Sequence, residues 1–147
     1  MNVKIKLLTD TAIMPKKAHY TDACFDLYAD MKDNNDQYII NAGETVIIPT
    51  GIATEIPKGY FAPVYARSGM GIKRNLRPSN CVGIIDSDYR GEWVVALHND
   101  GKGEQIVKAG ERIAQFTIQE VLPVALEKVD ELDNTERGEG GLGSSGK

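Results

Sequence analysis

Asp86 is the residue in this chain best placed to move a proton. It stands where an apolar run, Asn80-Cys81-Val82-Gly83-Ile84-Ile85, gives way to the polar stretch Asp86-Ser87-Asp88-Tyr89-Arg90-Gly91-Glu92. A second apolar run, Trp93-Val94-Val95-Ala96-Leu97-His98, follows. Two β-branched runs about a turn rich in acids, Ser and Gly read as a β-hairpin with buried arms. Asp86 is then the last residue before solvent, where partial desolvation raises a carboxylate's basicity and suits it to general-base work. Asp is equally an ordinary turn residue.

Arg67-Ser68-Gly69 sets a guanidinium fork, a hydroxyl and an unobstructed backbone amide side by side, a set that suits phosphate oxygens. The glycine-containing stretch from Ser68 to Leu76 predicts one short helix with Ser68 near its N-cap. Gln115 is a polar residue among Ile113, Ala114 and Phe116, so it faces either solvent or a site. Asp22, Asp26 and Asp30 lie four apart, which puts all three on one face of a strand; they could share a divalent cation or simply meet solvent. Gly141 to Lys147 matches G-x-x-x-x-G-K. That pattern binds phosphate only between a strand and a helix, and the chain here stops at Lys147, so it is not read as a P-loop.

The elements that must position these groups are strands. Apolar and polar residues alternate over Met1–Leu8, Cys24–Ala29 and Arg112–Gln119. Short apolar runs at Tyr38–Ile40, Val46–Ile48, Ile52–Ile56, Tyr60–Tyr65 and Val121–Leu126 are punctuated by turns rich in Gly, Pro and Asn. Pro63 marks Tyr60–Tyr65 as an edge or bulged strand. No long segment has a 3.6-residue apolar period, so the class is all-β with little helix, a sandwich, jelly roll or barrel. Residues 1–129 form the single domain. Residues 130–147 are an acidic linker and a Gly-rich tail with almost nothing to bury, expected to be mobile.

A length of 147 residues suffices for one core, and 41% hydrophobic with 26% charged residues is ordinary for a globular chain. The net charge of −4 argues against a nucleic-acid binder that works by neutralising phosphates. No apolar run approaches the ~20 residues of a membrane span, and Met1–Leu8 lacks the continuous apolar core of a signal peptide. Cys24 and Cys81 are far apart and form no C-x-x-C, which fits reduced thiols in a cytoplasmic protein, with a disulfide left open. His19 and His98 stand apart from both cysteines, so no zinc site is expected.

Taken together, these stretches resemble the five motifs of the trimeric dUTP diphosphatases. They are Ala23-Cys24-Phe25-Asp26-Leu27, Arg67-Ser68-Gly69-Met70, Gly83 through Asp86 and Tyr89 to Gly91, Gly110-Glu111-Arg112-Ile113-Ala114-Gln115, and the tail from Arg137 to Gly146. The resemblance implies a β jelly roll of the β-clip type, a homotrimer with active sites shared between subunits, and Mg²⁺-dependent hydrolysis of dUTP to dUMP and pyrophosphate. It implies that Asn80 and the backbone of Gly83, Ile84 and Ile85 read uracil, with Tyr89 against the deoxyribose. Asp86 would activate water, and Arg67, Ser68, Gly69 and Gln115 of a neighbouring subunit would hold the phosphates. Arg137, Leu142, Gly143 and Ser144 would close over the ligand. Asp26 would meet the metal through water. Cys24 stands where the family usually has Gly, and Leu142 where it usually has Phe. A dCTP deaminase of the same fold, or a dUTP-binding regulatory protein, are the alternatives.

Overall fold

The computed structural model describes residues 1–31 and 37–141. The chain is a β jelly roll of short antiparallel strands: β1 (Lys4–Leu7), β2 (Phe25–Tyr28), β3 (Gln37–Ile40), β4 (Thr45–Pro49), β5 (Ile52–Glu55), β6 (Tyr60–Tyr65), β7 (Leu76–Pro78), β8 (Gly83–Ile85), β9 (Val94–Asn99), β10 (Gln105–Lys108), β11 (Arg112–Phe116) and β12 (Gln119–Glu120). The largest sheet runs β12-β6-β11-β2, with β8 added to β6. A second sheet runs β4-β9-β7, and β1-β5 and β10-β3 form two-stranded ribbons.

Alternation decides which side chains build the core. Along β9, Val95 and Leu97 are buried while Val94 is exposed, the period of two that a pleated strand imposes. Three aromatic side chains tie the sheets together. Phe25 of β2 stacks on Phe116 of β11 with ring centres 5.5 Å apart, and Trp93 meets Phe116 edge-on at 4.9 Å. Trp93 is 1% exposed and leads into β9, so it locks the β4-β9-β7 sheet onto the β11 sheet. Removing such a side chain typically costs 3–5 kcal/mol.

Three expectations from sequence are corrected. The hairpin from Asn80 to His98 does not form, because β8 pairs with β6 and both edges of β9 are occupied by β4 and β7. Nor is the first arm buried: Ile84 is 56% exposed. Tyr60–Tyr65 is an interior strand, not an edge. β11 and β12 share one register against it, Val64 facing Phe116 and Phe61 facing Gln119, and the ladder lapses opposite Ala62 and Pro63, where Pro63 has no N–H to give. Val121–Leu126 is not a strand; after the backbone bond from Val121 to the carbonyl of Gly59 at 2.8 Å the ladder ends, and Leu122, Val124 and Leu126 stand exposed. The short helix does form, as a π-helical turn over Gly69–Lys73 with Ser68 at its N-cap and no capping bond from the Ser68 side chain.

The three aspartates do not converge on one point. Asp22 accepts from the backbone N–H of His19, Asp26 holds arginines, and buried Asp30 accepts from the hydroxyls of Thr9 and Thr11 at 2.7 Å each. They are not a solvated face either, since Asp26 and Asp30 are only 8% and 2% exposed.

Gly51 covers Asp30 and is required there twice over. Its φ is +66°, and a Cβ would fall 2.5 Å from Oδ2 of Asp30. A left-handed conformation costs a non-glycine residue roughly 1–2 kcal/mol before any clash. Gly51→Ala is therefore expected to lower stability by at least about 2 kcal/mol, read as a drop in urea midpoint at unchanged slope. A midpoint equal to wild type would contradict this packing.

Candidate active site

A buried carboxylate gathers the first cluster. Asp26 Oδ1 accepts from Arg67 Nε at 2.7 Å, and its Oδ2 accepts from Arg112 Nη1 at 3.2 Å. Arg67 Nη1 also donates to the carbonyl of Arg112 at 3.3 Å. Asp26 and Gln115 face each other across β2 and β11, and Gln115 faces Tyr65 across β11 and β6. Directly opposed residues project from the same face of a sheet, so this cross-strand row carries the cluster. Gln115 donates to the carbonyl of Ala66 at 3.0 Å, which ties the strand to the segment entering Arg67. Asp26, Arg67, Arg112 and Gln115 line one cleft of about 380 Å³, with Cys24 at its wall. Ser68 and Gly69 follow at the start of the π-helical turn, where amides have no intrahelical acceptor. A Cβ at Gly69 would meet nothing within 4 Å, so no packing inside the chain calls for glycine there.

Arg112 escaped the sequence reading. It lies three residues before Gln115, which on a regular strand puts the two on opposite faces. A register shift between Arg112 and Ala114 brings both to the same cleft, which is how a bulge re-aims a side chain. No residue pattern in the sequence announces that bulge.

Asn80, Gly83, Ile84 and Ile85 line a second cleft of about 220 Å³ with Ile47, Val64 and Val94. A Cβ at Gly83 would sit 3.3 Å from Val64 and 3.6 Å from the Asn80 side-chain nitrogen, so glycine leaves that backbone edge open. Asp86 lines a third cleft, of about 750 Å³, with Ser87, Asp88, Arg90 and Lys58. In the single chain Asp86 is exposed, so the half-desolvation expected of it is absent; closing that position takes a ligand or another chain. Tyr89 donates from its hydroxyl to the carbonyl of Glu92 at 3.0 Å and lies across Gly91, where a Cβ would collide with the Tyr89 hydroxyl. Arg137 bonds the carbonyl of Gly140 within its own turn and is not brought to these clefts. Leu142, Gly143 and Ser144 lie outside the described residues.

Two arginines and a glutamine about a buried carboxylate, on an all-β frame, offer donors that suit phosphate oxygens. A profile described as dUTPase matches residues 10–146. The deoxyuridine 5'-triphosphate nucleotidohydrolase of Clostridium acetobutylicum is 42% identical over 146 residues, spanning 99% of this chain and 97% of that protein. Its counterpart from Clostridioides difficile is 41% identical, spanning 99% and 98%. Among solved structures, a point mutant of the Staphylococcus bacteriophage 80alpha dUTPase with dUpNHpp superposes with a TM-score of 0.88 at 29% identity, covering 99% of both chains. The chain belongs to the dUTPase family and is an enzyme of that family.

Both cysteines are free. Burial pushes the Cys24 thiol up; nearby Lys17 opposes this and Asp26 adds to it. The residue that replaces the family's usual glycine therefore brings bulk to the cleft wall, and at neutral pH no negative charge. Cys81 is exposed. Thiolate character and access govern alkylation, so iodoacetamide at neutral pH should label Cys81 on the order of tenfold faster than Cys24, as mapped by peptide mass spectrometry. Faster labelling of Cys24 would contradict the closed, uncharged wall.

Proposed function

We propose that the chain hydrolyses dUTP to dUMP and pyrophosphate, as a homotrimer, with Mg²⁺. The observation that carries this reading is the Arg67–Asp26–Arg112 cluster beside Gln115: two guanidinium groups and an amide held in place along one cleft, donors that suit phosphate oxygens. The cleft holding Asn80 and β8 is smaller than the ~300–1,000 Å³ of sites that enclose a whole small ligand, so it suits the nucleoside part alone. Its lining shares no residue with the phosphate cleft. That separation supports sites in which one subunit offers the base and sugar half and another the phosphate half.

The roles then follow from chemistry. Asn80 and the main chain of Gly83 to Ile85 hydrogen-bond the uracil edge. Cytosine swaps a donor for an acceptor at one ring position, and an unpaired buried group costs ~1–3 kcal/mol. A 5-methyl group on thymine would meet main chain. Tyr89 lies against the deoxyribose, where it leaves no space for a 2′-hydroxyl. Asp86 takes a proton from water as its oxygen attacks phosphorus; the α–β anhydride bond breaks and pyrophosphate leaves with the electron pair. Arg67, Arg112, Gln115 and the amides at Ser68 and Gly69 receive the growing charge on the phosphate oxygens. Arg137 and the tail through Leu142, Gly143 and Ser144 close over the bound nucleotide and exclude water.

Among the described residues no three His, Cys, Asp or Glu converge on one point, so a cage of protein ligands is not offered to a metal. Mg²⁺ characteristically keeps its waters and binds through one or two carboxylates and substrate phosphates. Asp26 suits that indirect role, because each of its oxygens accepts one arginine bond and retains a lone pair for a metal-bound water. The ion would neutralise phosphate charge. Deamination of dCTP is disfavoured: it needs a catalytic Glu, and the stretch Asp86-Ser87-Asp88-Tyr89 fits the hydrolase better.

Pyrophosphate release should be substantial from dUTP and weak from dCTP, dTTP and UTP, and should fall when Mg²⁺ is removed. Comparable release from dCTP would sink the uracil reading. Asp86→Asn should keep the fold and nucleotide binding while turnover drops by roughly 10²-fold or more. Near-normal turnover would assign the base to another group. Deleting residues 136–147 should leave the melting temperature within a degree or so of wild type yet cut turnover sharply; full activity after truncation would remove the lid from the account.

A further inference from the structure

The strand that would read the base is weakly held by the sheet. β8 has three residues and pairs on one edge only, with β6. The segments on either side of it, 79–82 and 86–91, belong to no strand. The first includes Cys81 at φ +64°, a conformation L side chains rarely adopt and one that surrounding structure must impose.

One arginine reaches into each segment. Arg77 donates from Nη1 to the carbonyls of Pro78 and Ser79, both at 3.3 Å, while its Nε and Nη2 grip Asp100 at 2.7 and 3.2 Å. Arg90 donates from Nη1 to the carbonyls of Ser87 at 2.7 Å and Tyr89 at 3.1 Å. We propose that Arg77 and Arg90 are positioning residues that brace the two turns flanking β8, Arg77 setting base discrimination through Asn80 and Arg90 setting turnover through Asp86 and Tyr89. The division of labour rests on the dUTP reading above; the bracing itself does not.

The two braces differ in a way that makes them separable. Arg77 uses three nitrogens at once and holds Asp100 and the carbonyls together. A lysine has one ammonium and cannot reproduce that fork. Arg90 serves both carbonyls from one nitrogen, which an ammonium can approximate.

Amide hydrogen exchange of the full chain, read by mass spectrometry, tests the braces directly. Arg77→Ala should speed exchange across residues 79–85 and Arg90→Ala across 86–92, with the β2–β11 core still protected. Arg90→Lys should restore protection and Arg77→Lys should not. In calorimetric titrations, Arg77→Ala should shrink the preference for dUMP over dCMP by roughly tenfold, and Arg90→Ala should lower kcat for dUTP by a similar factor with a smaller change in KM. Unchanged exchange in both turns would overturn the proposal, as would a fall in activity that follows global unfolding with the dUMP preference intact. If the wild type fails to hydrolyse dUTP, the functional reading falls and the exchange pattern alone still decides the bracing.

Discussion

A single buried anion organises the chemistry of this chain. The Asp26 side chain lies between the guanidinium groups of Arg67 and Arg112, and so joins β2, the segment after β6 and the start of β11 at one point. Taking a carboxylate out of water is costly unless it is paired, and removing one partner of a buried pair typically destabilises by 3–5 kcal/mol. Here the pairing also has a use outside stability. It holds both guanidinium groups in place before any ligand arrives.

The second constraint is separation. The sheet order places β8 on one edge of β6 and β11 on the other, so the β8 cleft and the Arg67–Arg112 cleft lie apart and share no lining residue. Around the β8 cleft, Ile47, Ile84 and Val94 are each at least half exposed, and beyond β12 the side chains of Val121, Leu122, Val124 and Leu126 are exposed as well. A monomer with this much apolar surface and two half-sites is read most simply as one member of an assembly, in which burying the first completes the second.

Most strands were legible because alternation and turn residues report local physics. β3, β4, β5 and β6 fall within a residue or so of their apolar runs. What escaped was set by distant partners. Two apolar runs around a polar turn look like a hairpin, but which edges of β9 are free depends on β4, far away in sequence, and on β7, just upstream of the first run. β7 and β10 were missed because Arg77-Pro78 and Gln105-Ile106-Val107-Lys108 are short and carry weak alternation. Within the site, Arg67, Gln115 and Asp26 announced themselves by type. Arg112 did not, because a bulge changed its face, and the spacing of Asp22, Asp26 and Asp30 misled because only Asp26 lies inside a strand.

If the proposed site is completed by residues from different subunits, mixing two inactive variants restores activity. Asp86→Asn lacks the base on the nucleoside half, and Arg67→Ala lacks a cation on the phosphate half. If the two are unfolded together and refolded, some sites should combine an intact Asp86 from one chain with an intact Arg67 from another. The account predicts that pyrophosphate release from dUTP rises well above the sum of the two variants refolded separately. If each site lay within one chain, every site in the mixture would carry a defect, and activity no higher than that sum would contradict the account.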